Sequence, residues 1–304
     1  MSLKNEAMSL TRSRIARAPS PRAKSLAGLA ALAVAMGIGR FAFPPIMPMM
    51  LHDAGLTIAA GRWLASANYV GYLIGALAAL VVNMRADTAI RGGLLTIGLT
   101  TSAMALPLPL SGWLLLRLLA GVASAWVLIS SSAWCLDVLA ATQRPLLVRL
   151  VFAGVGIGIA GAGLVCLALT SIQAGSASAW ELLGILAISV TMLIWRCFAV
   201  PTRPATVFEQ TAATEFRWNA EALRLVCCYG VCGFGYIIPA TFLPVMAQSA
   251  LSGSLAAGWS WPLFGLASAA STLTVAGLAR HLGDRRLWLL SQWVMAAGIV
   301  MPAL

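Results

Sequence analysis

Two arginines stand where arginines are costly. Arg40 lies in MGIGRFAFPPIMPMM (residues 36–50) and Arg117 in GWLLLRLLAGVASAW (residues 112–126), each flanked by apolar residues on both sides. A guanidinium carries a permanent charge and a planar fork of donors that fits a carboxylate or phosphate through two parallel hydrogen bonds. Asn68, Tyr69 and Tyr72 gather in the next apolar run, and Tyr236 sits in a later one. Such residues suit recognition of a small anion better than bond making. The only histidines, His52 and His281, fall in connections between apolar runs, and no serine–histidine pair or metal-ligand spacing accompanies them. Six cysteines (Cys135, Cys166, Cys197, Cys227, Cys228 and Cys232) lie in apolar segments without paired spacing and read as small hydrophobes. A non-enzyme with no cofactor and no bound metal is expected.

The elements that position these residues follow from composition. The chain is 60% hydrophobic and 10% charged, with mean hydropathy +0.90. Soluble domains hold about 25% charged and 45–50% apolar residues, so this is an all-α polytopic membrane protein with the lipid bilayer as its solvent. The net charge of +11 does not indicate nucleic acid, because the charges are sorted by position. A span needs about 20 apolar residues. Nine runs qualify: Ser25–Met50, Trp63–Val82, Gly93–Leu110, Trp113–Asp137, Val148–Leu169, Trp180–Val200, Leu223–Met246, Gly258–Leu278 and Leu287–Leu304. Of twenty Lys and Arg, seventeen fall in the N-terminal stretch or in the connections after spans 2, 4, 6 and 8, against Arg62 alone in the opposite connections. The positive-inside rule then predicts a cytoplasmic N-terminus, and the expected location is a plasma (bacterial inner) membrane. Arg40 and Arg117 remain inside, both ~22 Å from the cytoplasmic face of a ~30 Å core.

The chain also repeats itself. Gly37, Gly39, Pro48 and Met50 recur as Gly233, Gly235, Pro244 and Met246, each 196 positions later, and Ala59-Ala60-Gly61 recurs as Ala256-Ala257-Gly258 at 197. Arg40 and Tyr236 are mates in this register. The predicted organisation is a basic tail (1–24), a six-helix unit (25–200), a polar linker (201–222) and a partial second unit (223–304). On the repeat arithmetic, a full second unit needs roughly 90 further residues, so nine of twelve spans are expected here. Pro44 and Pro48, with Gly37 and Gly39, are expected to loosen the outer end of span 1 as a hinge. Pro239 and Pro244, with Gly235, are expected to do so in span 7. GVGIGIAG (residues 154–161) matches a dinucleotide fingerprint but lies inside an apolar run. Gly154 and Gly158, like Gly71 and Gly75, instead read as places where helices touch.

Two six-span halves in parallel repeat resemble the major facilitator fold. Three motifs carry the resemblance further. Arg117-Leu-Leu-Ala-Gly121-Val-Ala-Ser-Ala125 resembles the RxxxGxxxA motif of span 4. The stretch from Leu278 to Arg285, with Gly283, Asp284 and Arg285, resembles the cytoplasmic loop motif, although Arg280 stands where an aspartate is usual. Gly37-Ile-Gly39-Arg40-Phe41 with Pro44 and Pro48, followed by Gly61-Arg-Trp63 and Asn68-Tyr69-Val-Gly71-Tyr72, is similar to the YbfB/YjiJ family of major facilitator transporters. The resemblance implies a secondary active transporter working by alternating access on a small-molecule substrate, with a proton as candidate co-transported ion and Asp137 as candidate coupling residue. It also implies that spans 1, 4, 7 and 10 line one cavity, so that Arg40 and Arg117 face a shared space with Asn68, Tyr69, Tyr72 and Tyr236. The expected substrate is anionic; drug or metabolite efflux, or a truncated non-transporting remnant, are the alternatives. Structural roles also stand open: Arg117 bracing helices, and Arg40 bonding carbonyls that the prolines free.

Overall fold

A computed structural model describes residues 20–82, 84–140, 145–198, 219–251 and 254–301. Within these residues every regular element is helical. In lipid a segment must satisfy its own backbone polar groups, which leaves a chain of apolar runs little choice but helices. Helices occupy all nine predicted positions, and six of them, Pro21–Asp53, Ile58–Val81, Leu110–Leu139, Leu146–Ser171, Ser176–Phe198 and Ala220–Ala250, are long and apolar enough to cross a membrane. Ala86–Ala103, Ser260–Leu282 and Asp284–Val300 are the shorter or more polar spans 3, 8 and 9. Span 3 begins with Asp87 and Arg91, span 8 carries Ser268, Ser271, Thr272 and Thr274, and span 9 opens on Asp284, Arg285 and Arg286. Most of the predicted tail and linker falls outside the described residues.

Local chemistry fixes several ends. Ser20, Thr57 and Asn219 each accept a hydrogen bond from a backbone N–H three residues on, as N-caps of spans 1, 2 and 7. Gly283 turns the chain between spans 8 and 9 at φ +72°, a left-handed conformation that favours glycine. Asp53, at the end of span 1, accepts from the N–H and hydroxyl of Ser176 at 2.5 and 2.7 Å. It thereby caps span 6 from another helix, where a negative charge also suits the helix dipole. Arg91 of span 3 donates twice to the Trp195 carbonyl, at 3.2 and 2.9 Å, where span 6 ends.

Glycines set how closely the helices approach. A Cβ on Gly71 would lie 2.1 Å from the Leu118 carbonyl oxygen and one on Gly75 2.6 Å from that of Val122, so span 2 lies directly on span 4. Gly154 and Gly158 bring span 5 onto span 1 at Leu29 and Ala33, with hypothetical Cβ contacts of 2.2 and 2.3 Å. Gly156 and Gly163 on the same helix bring it onto Ala269 and Pro262 of span 8. The dinucleotide lookalike is thus a two-sided packing stripe, as membrane helices use where backbones must come close. The main apolar core joins spans 1–6 around Leu32, Phe43, Ile46, Leu94 and Trp180. A second cluster of Met36, Phe41, Ile159 and Trp261, with Tyr72, Ile237 and Leu243 packed on it, fills the seam between spans 1–6 and spans 7–8.

The two copies of the repeat differ in shape. Span 1 is interrupted: an α-helix to Leu32 widens into a π-helix over Ala33–Arg40, the chain turns at Phe41 and Ala42, and a second helix runs over Phe43–Asp53. Pro44 and Pro45 stand in the first turn of that second helix, buried, while only Pro48 lies in its interior. The break therefore precedes the prolines. Span 7 is one helix from Ala220 to Ala250 with Pro239 and Pro244 inside it. A Cβ on Gly37 or Gly39 would collide with Gly158 or Ser124, whereas Gly233 and Gly235 have nothing within 4 Å. The repeat register places Ala240, not a proline, opposite Pro44.

Candidate solute-binding site

In an α-helix the Arg40 carbonyl would accept from the N–H of residue 44. That residue is Pro44, which has none. The structure supplies the donor from elsewhere. Arg117 Nη2 donates to the Arg40 carbonyl at 3.2 Å and Nη1 to the Gly39 carbonyl at 3.4 Å. Asn68 Nδ2 donates to the Gly39 carbonyl at 3.2 Å and to that of Arg117 at 2.9 Å. The RxxxG spacing of span 4 makes this possible, because a Cβ on Gly121 would lie 2.1 Å from the Asn68 carbonyl oxygen, and glycine there lets spans 2 and 4 touch. Phe43 and Trp180 lie 5.4 and 5.8 Å from the Arg117 guanidinium carbon. Arg117 is 2% exposed and Asn68 not at all. Both bond the backbone of the broken helix, with Arg117 Nε and Asn68 Oδ1 left without partners, and the carbonyl-bonding role left open for Arg40 is performed by Arg117.

Arg40 is placed differently. Its side chain is partly exposed, its guanidinium carbon lies 4.0 Å from the centre of the Tyr72 ring, and Phe41 and Tyr69 follow at 5.3 and 5.7 Å. Its Nε is buried without a hydrogen-bond partner. A cation over ring faces is stabilised by about 0.5–2 kcal/mol. Among the described residues the one ion pair is Arg85 with Asp87, at 3.1 Å in the connection after span 2, so Arg40 has no carboxylate partner there.

Tyr69 extends the site to the second half of the chain. Its hydroxyl lies 2.6 Å from that of Thr241 in span 7. Thr241 itself donates to the Ile237 carbonyl at 2.6 Å, so its single proton is committed and Tyr69 is the donor across the seam. Tyr236 precedes Ile237, which packs on the same seam cluster as Tyr72. The structure thus gathers Arg40, Tyr69, Tyr72 and Tyr236, and sets Arg117 and Asn68 behind them. Asp137 is not gathered: it is exposed on span 4, twenty residues or ~30 Å from Arg117. Gly283, Arg280, Asp284 and Arg285 are exposed at the turn between spans 8 and 9.

Thr241, Phe43 and Trp180 were not legible as partners from the sequence. A threonine two residues after Pro239 and a tryptophan heading span 6 are ordinary in apolar helices. The one available signal was Pro44, whose missing N–H announces an orphaned carbonyl four residues back.

The contacts between the halves are unevenly spread. In span 7 the buried residues are Ala240, Thr241 and Pro244, towards the end opposite the basic connections. Tyr229, Val231 and Phe234, nearer the basic end, are 65–74% exposed. On that opposite end a cleft of about 700 Å³ opens between Pro48, His52, Thr170, Gln173 and Gln248.

Among curated proteins no sequence matches the chain. A family model described as "Uncharacterised MFS-type transporter YbfB" matches residues 32–304, from the last residue before the π-helix of span 1 through span 9. With its helical spans, its span 4 arginine motif and a match over nearly its whole length, the chain belongs to the YbfB family of MFS-type transporters.

Proposed function

We propose that the chain moves a small anionic solute by alternating access, and that Arg40 is the group that holds the anion. The observation that carries this is the contrast between the two buried-region arginines: Arg117 is 2% exposed and bonds two backbone carbonyls, while Arg40 is partly exposed and lies over the Tyr72 ring. A permanent charge inside a membrane costs at least about 2.5–3.5 kcal/mol and is kept where it does work. The units 25–200 and 223–304, with the polar stretch between them, are read as the two rocking halves. The basic connections are assigned to the cytoplasm by the positive-inside rule, in a plasma (bacterial inner) membrane. Contacts that gather at the opposite end then describe an inward-facing state, closed to the outside around Tyr69 and Thr241. A co-transported proton fits this scheme, and Asp137, being exposed and remote, is a poor carrier for it.

The test is a comparison of solute profiles in cells producing the chain or its Arg40→Gln variant at equal membrane levels. The solute whose distribution changes with the unaltered chain should be an anion at neutral pH. Its transport should fall at least about tenfold in the variant, the loss of ~1.4 kcal/mol or more of binding. A neutral or cationic solute moved equally by both proteins would overturn the reading.

A further inference from the structure

We infer that the outer route to Arg40 runs along the seam between spans 1 and 5 of the first half and spans 7 and 8 of the second, and that Trp261 is the side chain that blocks it; this rests on the inward-facing reading above. The first observation is that two cavities adjoin. The cleft of about 700 Å³ at the end opposite the basic connections and a smaller cavity of about 40 Å³ share Pro48, Thr170 and Gln248 as lining. The smaller one is also lined by Pro45 and Gly163 of the first half and by Pro244 and Trp261 of the second. Both halves therefore wall it. Trp261 lines the smaller cavity and not the cleft, so it stands at the inner end of the pair.

The second observation is what lies behind the indole. Trp261 is 1% exposed and is buried with Met36, Phe41 and Ile159, a cluster on which Tyr72 packs. The rings of Phe41 and Tyr72 are 5.3 and 4.0 Å from the Arg40 guanidinium carbon. This cluster therefore stands between the smaller cavity and the neighbours of Arg40. The third observation is that the closed seam is not fully satisfied. Trp261 Nε1 and Ser260 Oγ are buried without hydrogen-bond partners, a cost that a purely apolar residue would not carry. Water entering a parted seam would supply those partners. Trp261 also lies in the first turn of span 8, Ser260–Leu282, after the one-turn helix Leu255–Gly258, where backbone N–H groups have no intrahelical partner to lose. A large ring held by packing alone, with an orphaned donor and at a helix end, suits a plug that has to leave.

The experiment uses the full chain, cysteine-reduced, in intact cells, with a membrane-impermeant maleimide added outside. Two reporters are compared: Gln248→Cys in the cleft, and Ile159→Cys behind Trp261, where the native residue is 2% exposed. Gln248→Cys should label readily and Ile159→Cys slowly. Trp261→Ala should raise the Ile159→Cys rate at least about tenfold and leave the Gln248→Cys rate within about twofold. Trp261→Phe, which keeps most of the ring, should give a smaller rise of about two- to fivefold. An Ile159→Cys rate that Trp261→Ala leaves unchanged, with Gln248→Cys labelled, would overturn the plug and leave the anion reading intact. Where Trp261→Ala raises both reporters alike, the outer end has lost its fold and Trp261→Phe decides, no rise at Ile159→Cys alone overturning the plug. Labelling of Gln248→Cys only in permeabilised cells would overturn this inference together with the cytoplasmic assignment of the basic connections.

Discussion

Arg117 holds the backbone that carries Arg40: its guanidinium bonds the carbonyls of Gly39 and Arg40 at 3.4 and 3.2 Å, across from span 4 to the broken span 1. The buried arginine bonds backbone, and the other is left partly exposed. The proline that creates the need, Pro44, lies four residues beyond the carbonyl that Arg117 serves.

Replacing Arg117 should therefore destabilise before it affects recognition. Arg117→Gln leaves at least one carbonyl short of a donor, and an orphaned buried polar group costs about 1–3 kcal/mol. Thermal denaturation of the detergent-purified protein should show a clear loss of stability for Arg117→Gln, with Arg117→Lys in between. Arg40→Gln, relieved of an unpaired charge, should denature at or above the temperature of the unaltered chain. Equal destabilisation by both would mean that the two arginines share one role.

The glycine stripes make a sharper contrast. A Cβ on Gly71 would stand 2.1 Å from the Leu118 carbonyl, whereas one on Gly161 meets nothing within 4 Å. Gly71→Ala must push spans 2 and 4 apart and misplace Asn68, at a cost of about 1–3 kcal/mol as overpacking. Gly161→Ala should be neutral or stabilise by up to about 1 kcal/mol through helix propensity. Melting temperatures of the two variants, measured side by side, decide this.

Much of this was legible in the sequence, for physical reasons. Long apolar runs have one solution in lipid, so the helices could be read from composition, and the arginines sorted into their connections. Gly71, Gly75, Gly154 and Gly158 could be read as contacts because a missing side chain has one main use inside a membrane helix. The partners of Arg117 could not, since they are backbone carbonyls from a span 78 and 77 residues away in sequence and hydropathy does not encode them. The repeat also misleads locally. It pairs Pro48 with Pro244 and Gly39 with Gly235, yet only the first copy breaks, where Asn68 and Arg117 bond the carbonyls of Gly39 and Arg40.

Asp53 ties span 1 to the start of span 6 through Ser176. Asp53→Ala removes a cap and should cost about 0.5–2 kcal/mol, read as a lower melting temperature. Asp53→Asn keeps an acceptor for the Ser176 N–H and should recover most of the difference. If alanine and asparagine behave alike, the charge at the helix terminus and not the hydrogen bond is what matters.

The Tyr69–Thr241 bond joins the span that holds Tyr72 under Arg40 to the span that closes the far end of the seam. A neutral hydrogen bond contributes about 0.5–1.5 kcal/mol net, which is a two- to tenfold change in a two-state equilibrium. Tyr69→Phe and Thr241→Val should raise the open population at the far end by that factor. Ala240 reports it, because it is 7% exposed and lies next to Thr241 in the contact. With Ala240→Cys in a cysteine-reduced chain, the rate of labelling by a membrane-impermeant maleimide should rise two- to tenfold in either variant. It should not rise further in the double variant, since both changes remove the same bond. Rates that multiply in the double variant would show that the hydroxyls act separately, and unchanged rates would show that the far end is held by the apolar contacts of span 7 alone.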